Sequence, residues 1–188
     1  MDIHFRNLST NTGRRFHERA LYPTICHSAS TGFGYVQVRN GKVVGFIVGM
    51  LDASAWFRAL VRTHWRECLL ATARLMLKEW GAFRKAVKWA RRFMTNQSAK
   101  PEGHIFAVAI DKAYRSRGLG LQLLQAFLDY CRSHGMGRLW TYTPKANAAF
   151  LRLAMHCGFR HHGELSMGGE THVVLCFDFD KAEEADGE

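Results

Sequence analysis

The sequence predicts a mixed α+β domain. It has a β-hairpin near each end, two strand–helix units between them, and a helical segment inserted after the first hairpin. Three observations carry this. Asn40-Gly41, the dipeptide favoured in type I′ turns, joins two β-rich arms in "GYVQVRNGKVVGFIVGM". The glycine turn "RSRGLG" links the apolar run "HIFAVAI" to an amphipathic helical pattern. Between Ala53 and Met94 there is no proline and one glycine, Gly81, while apolar residues recur at helical spacing.

The elements follow in order. "MDIHFRNL" reads as an opening strand, and "STNTGRRFHERALY" as a helix capped by Ser9 or Thr10 and ended before Pro23. The Asn40-Gly41 hairpin comes next. In the insert, Phe57, Leu60, Val61, His64, Trp65, Cys68 and Leu69 recur with helical period, and Arg58, Arg62 and Arg66 step by four along another face. One helix of about 40 residues would be about 60 Å long, more than the domain can match. Two helices broken near Gly81 are therefore expected. "TNQSAKPEG" returns the chain to the sheet, and "HIFAVAI" is a buried strand. Leu119 to His134 is a helix with Leu121, Leu124, Phe127 and Leu128 on one side. "GRLWTYT" is the next strand. Lys145 to Cys157 is a helix stopped at Gly158. "FRHHGELSM" and "THVVLCFDF" close the sheet across "GGE". Residues 1–179 thus form one domain interrupted by the insert at 51–100, and residues 180–188 are an acidic, disordered tail.

Composition narrows the function classes. Apolar residues are 47% of the 188, enough for a full core without staples. The longest apolar run, Val43 to Leu51, is too short to span a bilayer. The N-terminus has no apolar signal core, so the expected location is cytoplasmic. The five cysteines lie far apart with no CxxC pair and read as reduced thiols. No metal-ligand spacing appears among the histidines, so no metal is expected. The charge is localised. Residues 51–100 hold 11 lysines and arginines against 3 acids, a net of +8, and the other 138 residues hold 15 against 13, a net of +2.

A strand, a glycine turn and a helix start together make an anion cradle, because the first helical amides have no intrahelical acceptor. Arg115 and Arg117 add full charges, which suits a phosphate or pyrophosphate. A Walker A loop is absent. A dinucleotide fingerprint fails because Leu123 stands where a third glycine is required. The pattern present is Arg-x-x-Gly-x-Gly, Arg115 to Gly120, and it resembles the coenzyme-binding motif of the GNAT acetyltransferases. "NAAFLRLAMHCGF", with Asn147 and then Gly158-Phe159, is similar to the later helix of the same family. The resemblance covers residues 1–50 and 101–179 and leaves out the insert.

The resemblance implies a mixed, mostly antiparallel central sheet flanked by helices, here with an inserted basic helical pair. It also implies an enzyme that uses acetyl-CoA as co-substrate. The strand before the loop would carry a bulge and splay from its neighbour, so that pantetheine pairs along Val108, Ala109 and Ile110. An amide near Val108 would polarise the thioester carbonyl. The amides of Arg117, Gly118, Leu119, Gly120 and Leu121 would hold the pyrophosphate, with Arg115 beside them. Asn147 would contact the coenzyme arm and Phe150 would pack on it, although Asn147 is also a good helix-start residue. Two departures matter. The family's tyrosine, seven positions after the asparagine, is Ala154 here, and Phe106 replaces a frequent carboxylate. The remaining acid–base candidates are His104 and Glu102 at the strand's start, Tyr142 on the next strand and His156 on the later helix. Alternation places His104 on one face with Phe106 and Val108, where a near-neutral imidazole suits a base.

The insert holds Trp56, Trp65, Trp80 and Trp89 among its basic residues, with Phe57, Phe83 and Phe93. It reads as a surface for anionic membrane, a lid over an anionic acceptor, an RNA-binding element, or plain packing. The expected function is acetyl transfer to a primary amine of a small molecule or amino sugar, by direct attack in a ternary complex. Nucleic acid is the less favoured partner, and a homodimer is compatible. The alternatives are an acyl-CoA-binding regulatory module and an acetyltransferase for protein N-termini or lysines. Peripheral attachment to the inner face of a membrane is compatible with the insert.

Overall fold

The computed structural model describes residues 32–78, 84, 87, 101–167 and 170–180. The expected opening strand, the helix before Pro23, the break near Gly81 and the acidic tail lie outside the described residues. Strands β1 (Gly32–Arg39) and β2 (Lys42–Met50) form the first hairpin. Asn40 and Gly41 take φ values of 51° and 71°, the left-handed pair that a type I′ turn requires.

The chain then enters α1 (Ala53–Thr63), where Asp52 accepts a hydrogen bond from the Ala55 amide at 2.8 Å. Helix α2 (Trp65–Lys78) follows, and the interruption falls at His64. Trp56 and Leu60 are buried against Met50 of β2. Val61, Trp65 and Leu69, which share the helical period with Leu60 in the sequence, stand exposed instead. One residue is about 100° of rotation on a helix, so only the Trp56–Leu60 row reaches the sheet.

Strand β3 (Glu102–Ile110) leads through a short 3₁₀ turn (Lys112–Tyr114) into α3 (Leu119–Ser133). After them come β4 (Arg138–Pro144), α4 (Ala148–His156), β5 (Arg160–Met167) and β6 (Glu170–Asp178). The six strands lie in the order β1-β2-β3-β4-β6-β5. Among the described residues only β3 and β4 run parallel, and every other neighbouring pair is antiparallel. This is the mixed, mostly antiparallel sheet expected.

The main core lies between the sheet and the α3–α4 layer. Leu123, Leu124, Phe127, Leu128 and Cys131 of α3 pack with Ile47, Ile105, Leu139, Ala154, Phe159 and Leu175. Each large apolar side chain so buried contributes about 1.5–3 kcal/mol. Phe33 of β1 stacks on Phe127, with centroids 4.3 Å apart, which ties the first hairpin to α3.

Candidate active site

Two local features make the site: an opening in the sheet and a helix start at its mouth. Strands β3 and β4 pair at Glu102↔Arg138, Gly103↔Leu139 and His104↔Trp140. The ladder stops there although β3 continues to Ile110 and β4 to Pro144, so the two strands part from His104 onward. The Asp111 amide donates to Val44 O of β2 at 2.8 Å. Strand groups alternate in direction, so the N–H groups of Ile110 and Val108 face the opening while Ala109 faces β2.

A bulge sits in the same strand. Between Val48 and Gly49 of β2 the partner on β3 steps from Ala107 to Ile105. Phe106 packs towards Met50, Trp56 and Leu60, whereas Val108 packs into the α3 core. The sequence reading, which placed His104, Phe106 and Val108 on one face, is corrected here. One extra residue reverses the alternation beyond it.

At the mouth, Asp111 caps the 3₁₀ turn by accepting from the Ala113 amide at 3.0 Å. Arg115 folds back so that its Nε donates to Ile110 O at 3.1 Å, and the Arg117 guanidinium lies 5.5 Å from the centre of the Tyr114 ring. Gly118 begins α3 at φ 74° and offers no capping side chain. The first intrahelical bond is Gln122 N–H to Gly118 O at 3.0 Å, so the amides of Leu119, Gly120 and Leu121 precede the helical ladder. A Cβ on Gly118 would meet nothing within 4 Å, whereas one on Gly120 would stand 3.2 Å from Leu153 Cδ2. The two glycines thus differ. Gly118 supplies the left-handed turn on the open side, and Gly120 lets α3 approach α4. The resemblance gave both glycines to the pyrophosphate cradle, and at Gly120 the Cβ position faces a core side chain.

Asn147 caps α4. Its Oδ1 accepts from the Phe150 amide at 3.3 Å and its Nδ2 donates to Thr143 Oγ1 at 3.0 Å. Phe150 packs against the main core, and Ala154 is fully buried within it.

The closed end of the opening holds the acid–base candidates. His104 is 5% exposed, and its ring meets Tyr142 edge-on at 5.1 Å. Burial lowers its pKa to about 4, against a smaller opposing contribution from a backbone hydrogen bond at Ile105. His104 is therefore neutral at neutral pH and does not titrate there, contrary to the sequence expectation. Among the described residues its Nδ1 and Trp56 Nε1 are the buried side-chain polar atoms without a hydrogen-bond partner. Burial raises the Tyr142 phenol, which keeps it protonated, and the ring also faces His172 at 6.2 Å. Glu102 accepts from Trp140 Nε1 at 3.1 Å and stands 3.8 Å from Arg138, which also reaches Asp178. These contacts make Glu102 a clasp between β3 and β4, away from the mouth. Thr143, Trp140 and Trp56 did not figure as site residues in the sequence. Trp140 and Tyr142 share a face by alternation, but the partners of Thr143 and Trp56 depend on tertiary packing.

A model of the acetyltransferase (GNAT) family matches residues 4–159. The [ribosomal protein bS18]-alanine N-acetyltransferase of Escherichia coli is 33% identical over 89 residues, 44% of this chain and 60% of that protein. The matched region thus spans less than two thirds of that relative. The crystal structure of the ribosomal-protein-S18-alanine N-acetyltransferase from Escherichia coli superposes with a TM-score of 0.57 at 16% identity, covering 95% of this chain and 84% of that one. The NatC complex bound to Gag peptide and CoA gives 0.59 at 14% identity, covering 94% and 86%. At such identities the two solved structures speak for the fold.

Proposed function

The chain belongs to the acetyltransferase (GNAT) family, and from that premise we propose that it transfers an acetyl group from acetyl-CoA to a primary amine. The observation that carries this reading is the alignment of the β3–β4 opening with the uncapped start of α3. The residues fit the coenzyme. Gly118 leaves space on the open side, Arg115 and Arg117 are exposed beside it, and the amides of Leu119 to Leu121 suit a pyrophosphate. The β3 edge at Val108–Ile110 suits an extended amide-bearing arm.

Acetyl-CoA supplies the thioester: attack by the amine forms the C–N bond and breaks the C–S bond, and the departing thiolate takes up a proton. The chain's residues do the rest. The Val108 N–H, directed into the opening, stabilises charge on the carbonyl oxygen. His104 stands at the closed end with Nδ1 unpartnered; burial lowers its pKa to about 4, so the neutral ring is a weak base and serves as a hydrogen-bond acceptor that orients the amine, whose proton is released to solvent. Tyr142, held protonated beside it, is the donor available to the thiolate. A thiol with a pKa near 8.5 leaves well enough that a weak donor suffices.

The acceptor has two readings. A small or glycan-like amine rests on the localised positive charge of the insert. A polypeptide α-amine is favoured by the relative named for acetylating alanine of a ribosomal protein. The test is coenzyme A thiol release with acetyl-CoA and a panel of amino sugars and alanine-started peptides. Turnover with either class supports transfer and names the acceptor. Tight coenzyme binding with no release on any amine would replace the enzyme by a regulatory acyl-CoA-binding module.

A further inference from the structure

Helices α1 and α2 spend their inner stripe on the domain and carry a second apolar row outside it. Trp56 and Leu60 are buried with Met50, while Phe57 and Cys68 are half-buried against them. That satisfies the packing need of an amphipathic surface helix. Yet Val61 of α1 is 41% exposed, and Trp65 and Leu69, one turn apart on α2, are 55% and 60% exposed, with Leu70 beside them at 59%. Arg58 and Arg62 of α1, one turn apart, and Arg66 of α2 are exposed as well. On α2 the basic and aromatic groups touch, for the Arg66 guanidinium lies 5.3 Å from the centre of the Trp65 ring. On α2, Glu67 is about 160° of rotation from Trp65 and Leu69 and about 60° from Leu70, so it borders this face beside Leu70 without entering the Trp65–Leu69 row.

We propose that this outer face of α1–α2 docks on an anionic membrane surface. Val61, Leu69 and Leu70 would enter the acyl boundary, Trp65 would sit at headgroup level, and the arginines would meet lipid phosphates. Single-stranded RNA is bound by basic grooves with several stacking aromatic rings, whereas this face offers one ring, Trp65, beside three aliphatic side chains, which favours lipid. A symmetric pair of chains meeting through it would set arginine against arginine. Among the described residues no helix is long and apolar enough to cross a membrane, so the contact is with the surface. The proposal is independent of the acetyl-transfer reading.

The test is flotation of the full chain with vesicles of phosphatidylcholine alone and with one third phosphatidylglycerol. Binding to the anionic vesicles only is expected. Each arginine near such a surface shifts partition about fivefold, so Arg58→Gln, Arg62→Gln and Arg66→Gln together should lower it about 100-fold. High salt should weaken binding in the same direction. Trp65→Ser with Leu69→Ser should weaken it further at equal charge. All five positions are exposed, and circular dichroism checks that the variants fold. No flotation of the wild type on anionic vesicles overturns the proposal. So does flotation indifferent to either set of variants, or an RNA or a self-associated chain that binds through the same residues while vesicles do not.

Discussion

The two ends of β3 are built on opposite principles. At its C-terminal end, from Ile110 to Leu121, the working groups are backbone amides, exposed and set by a left-handed glycine at the start of α3. At its N-terminal end, from Glu102 to His104, they are side chains placed by cross-strand neighbours: Met50 on one side, Trp140 and Tyr142 on the other. The first end can bind an anion because it offers donors that the fold leaves unused. The second can hold a neutral imidazole because it keeps water away. On the proposed reading, coenzyme binding and the handling of the amine are separated along about one strand length, and each should fail independently of the other.

The largest expected effect lies at the buried end. The folded pKa of His104, about 4, is below its ordinary value of 6.5, so the folded state disfavours the proton. The stability tied to the neutral ring is present above pH 6.5 and is lost as the pH falls through about 4, roughly 3 kcal/mol in all. His104→Leu should flatten this part of a denaturation series between pH 7 and pH 4. An unchanged slope would mean that water reaches the ring.

The exposed end should respond in binding and not in stability. Gly118→Asp suits a left-handed position, yet places a carboxylate on the amides of the cradle. Acetyl-CoA affinity by calorimetry should fall about 100-fold, or about 2.7 kcal/mol, with the melting temperature kept. Gly120→Ala is the internal contrast. Its Cβ meets the end of Leu153 at 3.2 Å and Ile110 Cγ1 at 4.0 Å, both flexible side chains, so affinity should hold and stability should move by less than about 1 kcal/mol. Equal losses of affinity at both positions would remove the distinction drawn between the two glycines.

Asn147 gives a small effect and the sharpest division. It caps α4 and holds Thr143 on the β4 side of the opening. Asn147→Ala should cost about 1 kcal/mol of stability. If thermal unfolding shifts and acetyl-CoA affinity does not, Asn147 serves the scaffold alone. A parallel loss of affinity would make it part of the coenzyme groove.

What the sequence determined by itself is what short-range chemistry dictates. Asn40-Gly41 specifies its hairpin, "RSRGLG" its uncapped helix start, and the period of Leu124, Phe127 and Leu128 the face that α3 buries. Each follows from dihedral limits or helical rotation within a few residues. Tertiary structure decided the rest. The bulge at Phe106 moved Val108 to the other face, and burial among Met50, Trp140 and Tyr142 took His104 out of the neutral range. Glu102 became a clasp because Trp140 and Arg138 arrive from a strand 36 residues on. In α1–α2 the sequence supplied one helical period, but only docking on Met50 chose which row to bury and which to leave to solvent. Register, burial and pKa are properties of contacts between distant segments, and no local pattern encodes which neighbour a side chain will meet.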